Sequence, residues 1–282
     1  MITEISELKG VSDTKVPSQQ QLISLLEHYQ NRRFSDAEKL ALFITEQFPK
    51  HQLAWKVLGA IFAQTDRKLE AIDFQQKAIA LYHQDYETHN NLGITLQELG
   101  RSDEAVASFT QAITLKSDYA EAYYNLGIAL QGLDKLDDAT SNYTQAIKLK
   151  PDYAEAHSNL GITLHRLGKL EDAVASYRRA ISVKLDFAEA YYNLGITFKD
   201  LGRLDEAVAS YTQAISLKPD YAEAHYNLGN VFKELGRLDE AVASYTQAIS
   251  LKPEYAEAHY NLGITLQGLD KLDDATSNYT QA

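Results

Sequence analysis

Ala222-Glu-Ala-His-Tyr-Asn-Leu-Gly229 opens a stretch that runs to Tyr255, and the reading of this stretch decides the fold. Ala224, His225, Leu228, Gly229, Phe232 and Leu235 recur at helical spacing and form one stripe of a first helix. Gly236 follows, where a helix needs a left-handed cap. Leu238, Ala241, Val242, Tyr245, Ala248 and Ile249 make the stripe of a second helix, and Pro253 stops it. Helices of about 13 residues, roughly 20 Å long, are marginal alone and need neighbours to bury their stripes. Gly229 and Ala241 are small where the two helices must approach, and Tyr245 is large, which predicts that it fills a gap between successive hairpins.

Outward from this stretch, the opening string recurs from Ala120, Ala154, Ala188 and Ala256, always at a 34-residue step. A looser copy begins at Tyr86. Another begins at Gln52, with Trp55, Leu58, Gly59, Phe62, Ala71 and Ala78, and a distant one at Ser18, with Phe34, Ala37 and Pro49. The reading is therefore one array over residues 18–282, seven full repeats and a last one cut at Ala282, with residues 1–17 as a leader outside the register. Residues 120–146 and 256–282 differ only at Tyr123/His259 and Ala129/Thr265, which points to duplication of a block of four repeats. The incomplete last repeat predicts that the native chain continues and that the open apolar end self-associates.

This pattern resembles the tetratricopeptide repeat family over residues 18–282. Trp55-x-x-Leu58-Gly59-x-x-Phe62 comes nearest to the family's opening motif, and later repeats put His or Tyr where Trp55 stands. Ser117 and Leu185 depart from it by replacing the closing proline. Asp134 and Asp270 replace the turn glycine, which should cost up to ~1 kcal/mol each if the left-handed cap is kept. The resemblance implies an all-α, right-handed superhelical solenoid of antiparallel helix pairs, with the first helices lining a concave groove. It implies a scaffold that binds an extended polypeptide or partner protein. The segment Leu53–Gly59 after Phe48-Pro49-Lys-His51 also looks like the amino-terminal region of long bacterial repeat proteins. That likeness implies an alternative, the substrate-recruiting arm of a larger glycosyltransferase of the N-acetylglucosamine type, whose catalytic part is absent from these residues.

Counting from the first residue of each repeat, position 6 is Asn91, Asn125, Asn159, Asn193, Asn227 and Asn261, after Ile23 and Val57 in the two early repeats. Asn is not a favoured mid-helix residue. Its amide offers one acceptor and two donors, enough to grip a peptide backbone, while the competing reading is a bond to the neighbouring helix that specifies packing. A similar asparagine ladder belongs to the repeat domain of the enzyme that attaches N-acetylglucosamine to serine and threonine. Position 2 is Glu87, Glu121, Glu155, Glu189, Glu223 and Glu257, an acidic stripe that equally suits the helix dipole. Position 5 holds Tyr124, Tyr192, Tyr226 and Tyr260, beside isoleucines at position 9; these either make apolar pockets next to the ladder or pack between first helices. A clamp for a C-terminal carboxylate is not expected, because position 2 is Glu and position 6 is Asn.

A net charge of −12, from 39 acidic and 27 basic residues, argues against nucleic acid and anionic membranes as partners. The chain has no cysteine, so disulfides and thiolate metal sites are excluded. The acidic, polar start Met1–Gly10 lacks the order of a signal peptide, and no apolar run approaches a membrane span; both suggest a cytoplasmic protein. His89, His157, His225 and His259 share position 4, which reads as packing; no histidine pair has zinc spacing, and no metal or cofactor site is expected. Asp137-Asp138, Asp205-Glu206 and Asp273-Asp274 recur at second-helix starts and read as capping and dipole chemistry. No asymmetric catalytic constellation interrupts the period, so the segment is expected not to be an enzyme.

Overall fold

Short helices broken by a left-handed residue within each repeat and by a closing turn between repeats give the architecture directly. The computed structural model describes residues 16–281; of the leader only Val16 and Pro17, both irregular, fall within them, and Ala282 falls outside. Among the described residues there are sixteen helices and no strand. The first helices of the repeats are α1 (Gln19–Gln30), α3 (Gln52–Gln64), α5 (Tyr86–Glu98), α7 (Ala120–Gly132), α9 (Ala154–Arg166), α11 (Ala188–Asp200), α13 (Ala222–Glu234) and α15 (Ala256–Gly268). The second helices are α2 (Phe34–Gln47), α4 (Lys68–Leu81), α6 (Ser102–Leu115), α8 (Leu136–Leu149), α10 (Leu170–Val183), α12 (Leu204–Leu217), α14 (Leu238–Leu251) and α16 (Leu272–Tyr279). The chain divides into two compact bodies, one up to Ala129 and one from Leu130.

In the N-terminal body the core runs through Leu25, Ala37, Ala41, Ile44, Leu58, Ile61, Phe62 and Ala71, with Trp55 and Phe74 packed against it. The indole and Phe74 ring stack at 5.9 Å. In the C-terminal body the core is a regular series: Tyr177, Tyr211 and Tyr245 with Leu194, Phe198, Leu228, Phe232, Leu262 and Leu266. Here α9, α11, α13 and α15 lie side by side as successive neighbours, each also packed on its own second helix.

Each turn between the two helices of a repeat needs a left-handed residue. Gly236 supplies it at φ 73°. Asp134 and Asp270 hold the same conformation at φ 61° and 60°, so the cap is kept where the glycine is lost. Second helices end alike with or without proline: Lys184, before Leu185, has φ −129°, ψ 96°, and Lys218, before Pro219, has φ −135°, ψ 85°.

Two expectations are corrected. Tyr245 fills space inside its own hairpin, because a Cβ added to Gly229 would sit 2.7 Å from its ring; Gly195 faces Tyr211 and Gly161 faces Tyr177 in the same way. The glycine is what lets a full ring lie flat on the first helix. The acidic pairs at second-helix starts do not cap. Arg203, Arg237, Lys135 and Lys271 stand at the N-caps with no side-chain cap bond, and Glu206 and Glu240 pair with the arginine three residues before them.

Candidate functional site: the first-helix faces

The asparagines at position 6 are half-buried throughout, but their bonds differ. In the C-terminal body the Asn227 amide donates to the Tyr192 hydroxyl at 2.9 Å, and the Asn261 amide to the Tyr226 hydroxyl at 2.9 Å. Each bond joins position 6 of one repeat to position 5 of the repeat before. Asn261 also donates to Asn230 Oδ1 at 3.3 Å and accepts from Lys233 Nζ at 2.9 Å, so its amide is fully engaged. Asn193 follows a repeat whose position 5 is Ser158, a short and buried side chain; its amide has no bonded partner among the described residues. In the N-terminal body the Asn125 amide donates to buried Asn90 at 3.0 Å. Asn91 follows a repeat whose position 5 is Lys56, and Lys56 is taken by Asp85 and Glu87 at 3.0 and 2.7 Å.

The position-5 tyrosines lie between repeats. Tyr192 packs on Tyr221 at 4.7 Å, and Tyr226 on Tyr255 at 4.9 Å. Burial, aided by Glu223, pushes the Tyr192 hydroxyl above its usual range, with the Asn227 bond pulling the other way. Burial and the nearby Tyr192, Glu189 and Glu223 push Tyr221 the same way, so these rings stay protonated hydrogen-bonding groups. Tyr124 is half-buried, and Tyr260 is 55% exposed.

Position 4 has a structural duty. The His157, His225 and His259 Nε2 atoms lie 3.1, 3.2 and 2.9 Å from the carbonyls of Pro151, Pro219 and Pro253, six residues back. Trp55 Nε1 donates to the Pro49 carbonyl in the same way at 2.9 Å. His and Trp are thus alternative ring N–H donors that staple the closing turn. Burial is the main cause that holds the His157 imidazole below its usual range.

Position 31 carries a lysine over the aromatic ring of position 34, as in Lys218 over Tyr221 at 4.7 Å and Lys252 over Tyr255 at 4.7 Å. Lys184 and Lys218 also approach Glu155 and Glu189 at 3.6 and 3.9 Å, so the acidic stripe is partly matched by the protein's own amines. Sequence reasoning missed Asn230, Lys199 and Lys233. The signal was available: Asn230 stands where the other repeats from Tyr86 onward have Ile94, Ile128, Ile162, Ile196 and Ile264, and Lys199 and Lys233 are the lysines of α9, α11, α13 and α15. Among the described residues no group of three or more acidic or histidine side chains is placed to hold a metal ion, and no helix is long and apolar enough to cross a membrane.

Comparison with known proteins agrees with this repeat geometry. A model described as TPR repeat matches residues 96–134, 133–168, 163–202, 197–236 and 229–270. Two models described as tetratricopeptide repeat match residues 25–86 and 74–107. No curated protein matches. Among solved structures, MamA is 29% identical with a TM-score of 0.54, over 55% of this chain and 91% of its own. YrrB, described as a TPR protein with an unusual peptide-binding site, is 24% identical with a TM-score of 0.57, over 65% of this chain and 95% of its own. The Cut9–Hcn1 hetero-tetramer of APC/C is 16% identical with a TM-score of 0.65, over 89% of this chain and 49% of that one; it and YrrB speak for the fold alone. With family models matching well over half of its length, the chain belongs to the tetratricopeptide repeat family.

Proposed function

We propose that the first-helix face of the C-terminal body holds an extended polypeptide by its backbone, as a protein-interaction scaffold. The observation that carries this reading is Asn193: a half-buried amide in mid-helix, on the face shared by successive first helices, with no partner among the described residues. A side chain that weakens helix propensity and bonds to nothing in the fold is best explained by a bond to something else. Asn227 keeps one N–H beyond its bond to Tyr192 and is held in place for a ligand by that bond. Each amide-to-backbone bond contributes only about 1 kcal/mol net, so several rungs, Asn159, Asn193 and Asn227 among them, act together.

The test is capture of an immobilised library of random ten-residue peptides by the wild type and by a variant with Asn159, Asn193 and Asn227 all changed to Ala, with folding checked by circular dichroism. Capture should fall at least about tenfold, which is about 1.4 kcal/mol. Unchanged capture by a folded variant overturns the reading. If the threefold variant unfolds, Asn193→Ala alone decides, since the loss of an amide with no partner among the described residues leaves the structure intact.

A further inference from the structure

The Asn261 acceptor oxygen is held by a cation, Lys233 Nζ at 2.9 Å, while both its N–H groups are spent on Tyr226 and Asn230. It therefore serves the fold and Lys233 rather than a peptide backbone. The amine it orients is half-buried and has no carboxylate within ion-pair distance among the described residues. Lys199 stands at the same position one repeat earlier, also half-buried and also without an ion pair among the described residues. The neighbouring acids do not neutralise them. Asp200 is engaged by His165 at 2.8 Å, and Glu234, exposed, is the next residue along the helix from Lys233, a spacing at which side chains do not face each other. The glutamates of position 2 lie ten residues back along each helix, about 15 Å away.

We infer that Lys199 and Lys233 are anchors for acidic side chains of the bound polypeptide, which makes the site selective for Asp or Glu at positions i and i+3. The inference rests on the extended-peptide reading above and adds a sequence preference to it. Charge complementarity carries it: in a chain of net charge −12, two lysines of adjacent first helices are left uncompensated on the face proposed to bind. A helix-dipole role would be met by an amine anywhere near the helix end and does not require Lys233 to turn onto the next helix and bond Asn261. Adjacent packed helices lie about 10 Å apart, and three residues of extended chain span about 10 Å, so consecutive repeats read every third residue. With repeats on both sides of the pair, the chain runs through the site, and the anchored groups are internal side chains rather than a C-terminal carboxylate.

The test uses fluorescein-labelled ten-residue Ala/Ser peptides with blocked ends, carrying Glu at i and i+3, Gln at the same positions, or Glu at i and i+1, titrated by anisotropy. The wild type should bind the i, i+3 Glu peptide about tenfold more tightly than the Gln or i, i+1 peptide. Lys199→Met/Lys233→Met should erase that preference, so that the Glu and Gln peptides bind equally, and Lys233→Glu should disfavour the Glu peptide. Equal binding of Glu and Gln peptides by the wild type, or a preference that survives in the double variant, overturns the acidic-anchor inference alone. Failure of every peptide to bind overturns the extended-peptide reading beneath it.

Discussion

Asn193 and Asn227 occupy the same position of successive repeats, in helices that open with the same residues from Ala188 and Ala222 except for Tyr191 and His225. One amide is free of the fold and the other is tied to it. The difference lies in the preceding repeat, where Ser158 stands behind Asn193 and Tyr192 behind Asn227. A tyrosine reaches across to the next helix and its hydroxyl accepts the amide N–H; a serine does not. In a stacked array the duty of a residue is thus set one repeat upstream, and identical positions need not do identical work.

The largest effect should be the same in different repeats, because the glycine under the ring lies inside each hairpin and is common to them. Gly161→Ala would press a methyl onto Tyr177, and Gly229→Ala onto Tyr245, each with a Cβ 2.7 Å from the ring. Each should lose about 1–3 kcal/mol by overpacking, read as a lowered urea midpoint. Unequal losses would mean that the two repeats are not built on one plan.

Next comes the junction itself. Tyr192→Phe leaves the Asn227 amide without its acceptor and should cost about 1 kcal/mol, whereas Ser158→Ala removes no bond to Asn193 and should cost less. Equal effects would break the comparison.

The buried tyrosines of the second helices run the other way across the same two junctions. Tyr177 bonds Thr197 of the next repeat, whereas the position equivalent to Thr197 one repeat on is Val231, and the buried Tyr211 hydroxyl is without a partner among the described residues. Val231→Thr is nearly isosteric and should stabilise by up to about 1 kcal/mol, with a raised melting temperature. A fall would show that the hydroxyl costs more in the pocket than it gains from Tyr211.

The smallest expected gain is at the closing turn before Asn193's helix. Leu185 is 74% exposed, its N–H makes no backbone bond, and Lys184 before it is already extended, as a residue preceding proline must be. Leu185→Pro should raise stability by about 0.5 kcal/mol through the unfolded state. Destabilisation in thermal unfolding would show that this turn differs from the one closed by Pro219.

Much of this was legible in the chain and some was not, for definite reasons. The 34-residue period marks where the first helices begin, and Gly236 holds the left-handed turn expected of it, while Asp134 and Asp270 keep that turn where the glycine is replaced. The partner of Tyr245 was misassigned because a glycine 16 residues back in the same hairpin is a contact of the helix pair and leaves no mark on the period. The bonds of the asparagine row were hidden for a related reason. They pair residues 35 apart, one more than the repeat, so they appear only when position 5 of one repeat is read against position 6 of the next. Lys233 and Asn230 were passed over because attention to what recurs discards the residues that break the pattern.

The most direct test compares the stabilities of Asn193→Ala and Asn227→Ala by urea unfolding under identical conditions. Both replace Asn by Ala at the same helical position, so the gain in helix propensity cancels and the difference reports the bond to the preceding repeat. Asn227→Ala should be less stable than Asn193→Ala by about 1 kcal/mol, and Asn193→Ala should be at least as stable as the wild type, since the fold makes no use of that amide. Equal midpoints, or a loss at Asn193 as large as at Asn227, would contradict the assignment of Asn193 to a ligand.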